Sequence, residues 1–168
     1  MTARLLVLLL ALCFSGAAEA QNFWSSPGSG CVPDEASIKS NRYKVDNLSV
    51  QHASGHVELI VLICPIQPFS STAPDWALGL TYQDSSGTGT AARVRAQLYK
   101  TEIGTAKPEV VAFVTSNSSA VTTFNDINSG SFPHTFDFNA NLYWLRVELI
   151  RGATNQTVIF YYAILSAV

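Results

Sequence analysis

The sequence predicts an all-β fold, an antiparallel β-sandwich of about eight to nine strands, for which a jelly-roll-like path is one available form. Three observations lead there. Apolar side chains recur with a period of two along most of the chain, and clusters of Gly, Ser, Asn and Asp separate the periodic segments. No segment sustains a helical repeat. Of the 168 residues, those after position 20 make one domain by length, enough to bury roughly two-thirds of the unfolded surface.

The chain opens with a segment that is read as lying outside the fold. Arg4 supplies a positive start, Leu5 to Phe14 is an apolar run, and Ala18-Glu19-Ala20 is an A-x-A cleavage signal. Residues 1–20 therefore read as a secretory signal peptide, too short to span a membrane. Cys13 lies inside the apolar run and follows the bulky Leu12, which argues against a lipoprotein signal. Residues 21–40 form a Ser/Gly/Pro-rich arm with one helical turn expected after Asp34, and 41–168 form the sandwich domain.

The strands follow in order. A weak one is expected around 43–51, then "HVELIVLIC" (56–64), "WALGLTYQ" (76–83), "ARVRAQLYK" (92–100) and "EVVAFVTS" (109–116). Another weak strand is expected at 120–125 and a short one at "HTFDFN" (134–139). "LYWLRVELI" (142–150) and "TVIFYYAIL" (157–165) complete the set. Between them lie Asp84-Ser-Ser-Gly-Thr-Gly-Thr, Asn117-Ser-Ser, Asn128-Ser-Gly and Gly152-Ala-Thr-Asn-Gln, all turn-forming compositions. An eight-stranded outer-membrane barrel is the alternative of similar size. The last strand is apolar on both faces, where a barrel strand would alternate.

"GTGTAARVRAQLY", "HTFDFNANLYWLRVEL" and "VIFYYAIL" together resemble small exported bacterial β-sandwich proteins of unknown function. The resemblance implies an exported sandwich, periplasmic or extracellular, and brings no catalytic motif.

Cys31 and Cys64 remain after signal cleavage, and an even pair in an exported chain points to a disulfide. Closing that loop would contribute about 3–4 kcal/mol on the chain-entropy model. Removing Arg4 and Glu19 leaves the formal net charge at −2, which argues against a nucleic-acid partner. After residue 20 the longest apolar run, Val158 to Leu165, is too short for a transmembrane helix.

No motif selects an active site, and no cofactor is expected. His52 and His56 have a metal-like spacing with Glu58 nearby, but Ala-Ser-Gly between them reads as a turn rather than the helix that spacing needs. "DSSGTGT" lacks both the helix a phosphate loop requires and the carboxylates of a calcium loop. No Gly-x-Ser-x-Gly elbow is present, and nothing pairs His134 with Asp137 beyond proximity. The sequons at Asn47, Asn117 and Asn155 are read as turn polarity. Catalytic and metal residues are therefore expected to be none, a hydrolase with an unrecognised site being the enzymatic alternative.

What remains is a row of outward positions. Period two sends Tyr143, Leu145, Val147 and Leu149 to one side and Trp144, Arg146 and Glu148 to the other. The same rule turns Arg93, Arg95, Gln97 and Tyr99 outward. If the two strands share a sheet, these seven residues form a platform whose rings could stack on a sugar while the polar groups bind its hydroxyls. The opposing expectation is ordinary surface pairing of an arginine with Glu148, with Trp144 half covered by the N-terminal arm. The sequence thus points to a non-catalytic protein with a structural or binding role, its partner a glycan or another envelope protein.

Overall fold

The computed structural model describes residues 23–69, 72–105 and 107–168. The expected signal peptide, residues 1–20, lies outside them. The described residues form eleven strands and one short helix: β1 Phe23–Pro27, β2 Val32–Pro33, α1 Glu35–Lys39, β3 Tyr43–Asp46, β4 Ser49–His52, β5 Ile60–Pro65, β6 Asp75–Asp84, β7 Ala92–Glu102, β8 Glu109–Thr115, β9 Phe124–Pro133, β10 Asn141–Arg151 and β11 Val158–Ala167. Every strand pairing is antiparallel.

Two sheets result. The first runs β3-β4-β11-β6-β9 with β1 also on β11; the second runs β2-β5-β10-β7-β8. From β5 onward the chain changes sheet at every connection except β7 to β8, a jelly-roll-like path. The sheets keep open edges at β3 and β9 and at β2 and β8, so the barrel alternative fails: closure would need those edges to pair. No helix among the described residues is long and apolar enough to cross a membrane.

The core lies between the sheets. Leu62 and Cys64 of β5, Val94, Ala96 and Leu98 of β7, and Leu145, Val147 and Leu149 of β10 face Leu78, Leu80 and Tyr82 of β6 and Phe160, Ala163 and Leu165 of β11. All of these are essentially inaccessible, and burying each large side chain contributes roughly 1.5–3 kcal/mol.

The Ser/Gly/Pro-rich residues 23–40 carry strands of both sheets: β1 lies along β11 and β2 along β5. The expected helical turn is α1, with Asp34 accepting the Ser37 amide at 2.8 Å as its N-cap. Ser37 in turn accepts the Val61 amide at 3.1 Å, fastening α1 to β5. The Cys31–Cys64 disulfide is present and joins the segment before β2 to the same strand.

Four strand expectations need correction. Residues 43–51 form a hairpin, β3 and β4, because Asn47 takes a left-handed φ of 49° at the turn. The strand expected from His56 starts only at Ile60, after an irregular approach. The strand expected at 120–125 is instead β9, Phe124–Pro133, with Asn128-Ser129-Gly130 inside it rather than after it. Those residues form a bulge opposite Ala77 and Gly79, where Gly130 adopts a φ of 73° and the Ser129 hydroxyl accepts the Leu78 amide at 3.1 Å. Finally, 134–139 is a turn and not a strand. Asp137 folds it back by accepting the amides of Asn139 and Ala140 at 2.9 and 3.2 Å.

Candidate functional site

Strands β10 and β7 are direct neighbours, and their register assembles the outward row. Trp144 stands opposite Tyr99, Arg146 opposite Gln97, Glu148 opposite Arg95, and Ile150 opposite Arg93. The next strand extends the rows: Phe113 of β8 lies opposite Gln97 and Thr115 opposite Arg95. On the far side Pro65 faces Trp144 and Ile63 faces Arg146. The outer face of the second sheet is therefore a grid, aromatic at one end and cationic toward the other.

The aromatic end is ordered by stacking. The Tyr99 and Trp144 rings lie parallel within 9°, their centroids 5.5 Å apart. Cross-strand Cβ atoms are ~5 Å apart, so parallel packing is the geometry the pairing favours. Both side chains are half-buried, one face of each occupied by the other.

The polar part is organised around Glu148. Its register points it outward, yet it is only 5% exposed, because two arginines close over it. Arg95 Nη2 donates to Oε2 at 2.5 Å, and Arg146 Nη2 forms an ion pair with Oε1 at 3.0 Å. Both carboxylate oxygens are thus engaged, and Glu148 acts as an anchor for the arginines rather than as an open acceptor. This is the surface pairing the sequence left as the opposing expectation, realised at greater depth.

Arg93 is different. Among the described residues it has no ion pair and no hydrogen-bond partner, and its Nε is buried. It lines an open depression of about 360 Å³ with Arg95, Gln97, Phe113, Thr115 and Asn117. Phe113 is 60% exposed there. Phe113, Thr115 and Asn117 were missed by the sequence reading, which takes 109–116 as a buried strand. The usable signal was alternation: Ala112 and Val114 inward, Phe113 and Thr115 outward.

The other sequence candidates do not converge. His52 is buried and donates Nε2–H to the Glu58 carbonyl at 2.9 Å, while His56 Nδ1 lies 3.2 Å from the Glu58 carboxylate. Burial chiefly lowers the His52 pKa to about 4; the bond to the Glu58 backbone opposes this, and the Arg151 charge adds to it. Asp84 of the "DSSGTGT" stretch is fully buried, accepting from the Ser86 amide and hydroxyl and from the Ser116 hydroxyl. Among the described residues no three His, Cys, Asp or Glu side chains are grouped to hold a metal ion. The Cys31–Cys64 bridge is structural, sealed at 6% and 0% exposure.

A second aromatic group was also not anticipated. Phe69, His134, Phe136 and Phe138 pack on Trp76 and Tyr143, with neighbouring ring centroids 4.8–5.9 Å apart. His134 Nε2 is hydrogen-bonded to the Tyr143 hydroxyl at 3.3 Å, not to Asp137. Burial, with a smaller contribution from the Lys100 charge, lowers the His134 pKa. These rings close one end of the sandwich.

No protein-family model and no curated protein matches the sequence. Among solved structures, the chain is similar to the CBM36-1 domain of a multidomain xylanase from the hindgut metagenome of Trinervitermes trinervoides, with 11% identity, a TM-score of 0.46, and coverage of 88% of this chain and 98% of that one. It is also similar to the family 11 carbohydrate-binding module from Clostridium thermocellum, at 12% identity, TM-score 0.43, and 92% and 93% coverage. A family two carbohydrate esterase from Cellvibrio japonicus gives 14% identity and a TM-score of 0.41, over 87% of this chain but 34% of that one. Identities and TM-scores this low transfer neither ligand nor activity.

Proposed function

We propose that this chain is an exported, non-catalytic binding protein that holds a glycan on the outer face of the second sheet. The observation that carries the reading is the stacked Tyr99–Trp144 pair in register with arginines that Glu148 holds in place. A sugar ring presents an apolar face to an aromatic ring and hydroxyls at its rim. Side chains ~5 Å apart across strands and ~7 Å apart along them match one or two such rings. Guanidinium groups fixed before binding lose less conformational entropy on contact than free ones would.

The export part of the reading rests on residues 1–20 and on the Cys31–Cys64 bridge, a bond favoured in oxidising compartments. A cell-envelope or extracellular location, in a bacterium, follows from the same reading.

Glycan-array binding of the purified protein and of Trp144→Ala tests it. The substitution should weaken binding by roughly 2 kcal/mol or more. It should lower stability by roughly 2 kcal/mol, the ring pairing together with the partial burial of the side chain, and leave the protein folded. An array signal unaffected by Trp144→Ala, or no array signal at all, would remove the proposal.

A further inference from the structure

Resting on the glycan reading, we infer that the ligand is an acidic glycan whose anionic group binds Arg93 in the depression between β7 and β8. The argument begins with charge. The chain as a whole carries a formal net charge of −2. Its outer grid nonetheless gathers Arg93, Arg95 and Arg146 around a single carboxylate, Glu148, which is enclosed by the last two. An excess of positive charge on one face of a mildly acidic protein selects for a negative ligand.

Position then narrows the chemistry. Arg93 has no acidic partner among the described residues, and a planar guanidinium offers a fork of donors that fits a carboxylate or a sulfate ester in a bidentate way. Arg95 stands two residues along the same strand and reaches Glu148 through Nη2 alone. Facing them across the depression on β8, the exposed Phe113 ring supplies an apolar surface and Thr115 a polar partner, while Gln97 continues the β7 row and offers another partner for sugar hydroxyls. Asn117 is already tied down, donating to the Gly89 carbonyl at 2.8 Å, so it forms a fixed wall. An uncharged sugar could stack on Phe113, but it would leave the Arg93 charge unanswered. A uronate or a sulfated sugar answers both.

Affinity electrophoresis of the purified protein tests this. The gels would contain polygalacturonate, its fully methyl-esterified form, a sulfated galactan, its desulfated form, or polyglutamate. Retardation by polygalacturonate or by the sulfated galactan is expected, weakening as salt rises and lost when that polymer is esterified or desulfated. Arg93→Gln should weaken it by about tenfold, the scale of one charge-assisted contact, with an unchanged melting temperature. Phe113→Ser, another surface change, should weaken it while leaving the salt dependence intact.

Retardation by neither acidic polymer would overturn the inference, as would equal retardation by charged and neutral forms. Equal retardation by polyglutamate would reduce the face to a general polyanion surface and overturn it too. An effect of Trp144→Ala on neutral glycans with none of Arg93→Gln on any polymer would leave the glycan reading standing and remove only the acidic ligand.

Discussion

Ser116 and Asp84 hold the two sheets together at one end of the sandwich. The Ser116 hydroxyl donates to Asp84 Oδ2 at 2.5 Å and accepts the Val94 amide at 2.9 Å, so one side chain links β6 of the first sheet to β7 of the second. Asp84 is fully buried and takes its other two bonds from Ser86. A buried carboxylate with no cation paired to it among the described residues is tolerable because these donors replace its hydration.

Ser116→Ala should therefore cost far more than the loss of one hydroxyl suggests. It strands a buried carboxylate oxygen and a buried amide together, each worth about 1–3 kcal/mol when unpaired. Urea denaturation should show a loss of roughly 2–5 kcal/mol on that basis, with an unchanged slope.

His52 sets an acid limit on stability. Its folded pKa of about 4 lies below the ordinary 6.5. Above 6.5 the ring is neutral in both states and the native contribution is complete. As the pH falls below 6.5 the unfolded chain takes up the proton first, so stability declines until the folded ring also titrates near 4. The total is roughly 3 kcal/mol. Stability measured from pH 7 to pH 4 should fall less steeply for His52→Gln than for the parent, and parallel curves would contradict the assignment.

Reduction should destabilise without needing to distort the native state. The bridge spans a sequence separation of 33 and should contribute about 3–4 kcal/mol through the unfolded chain. Cys31→Ser/Cys64→Ser should shift the urea midpoint accordingly. Both sulfurs being covered, the intact protein should also resist mild reductant until it is partly unfolded.

Glu148→Gln removes the one negative charge beneath two guanidinium groups. Breaking a buried pair costs about 3–5 kcal/mol, but both arginines are about one-third exposed, so solvent screening should bring the loss nearer ~2 kcal/mol. A melting temperature equal to that of the parent would mean that Glu148 does not organise the face.

The parts of the fold legible in the sequence were those ruled by period two. Alternation placed Trp144, Arg146, Arg93, Arg95 and Tyr99 on one outer face, and only their shared sheet remained conditional. Depth was not legible: the same rule that turned Glu148 outward could not show two arginines folding over it. Edge position was not legible either, which is why Phe113 passed for core. Asn128-Ser129-Gly130 carried turn chemistry that the chain uses for a bulge, and Phe136 and Phe138 alternate like strand residues inside a turn. In both cases the local signal was real and tertiary pairing redirected it.

The pairing of β1 with β11 sets a time order on folding. Phe23 lies opposite Ser166 and Trp24 opposite Leu165, so the first and last described strands meet in one sheet. A chain emerging residue by residue can form the β3–β4 hairpin and bring Cys31 to Cys64 long before its final strand exists. It cannot seat β11 between β4 and β6, nor lay β1 against it, until residues 158–167 have arrived. Closing so long a loop is slow, and it comes last. Until then the apolar inner face of β6 has no neighbour on that side, so the unfinished chain presents an apolar strand to water.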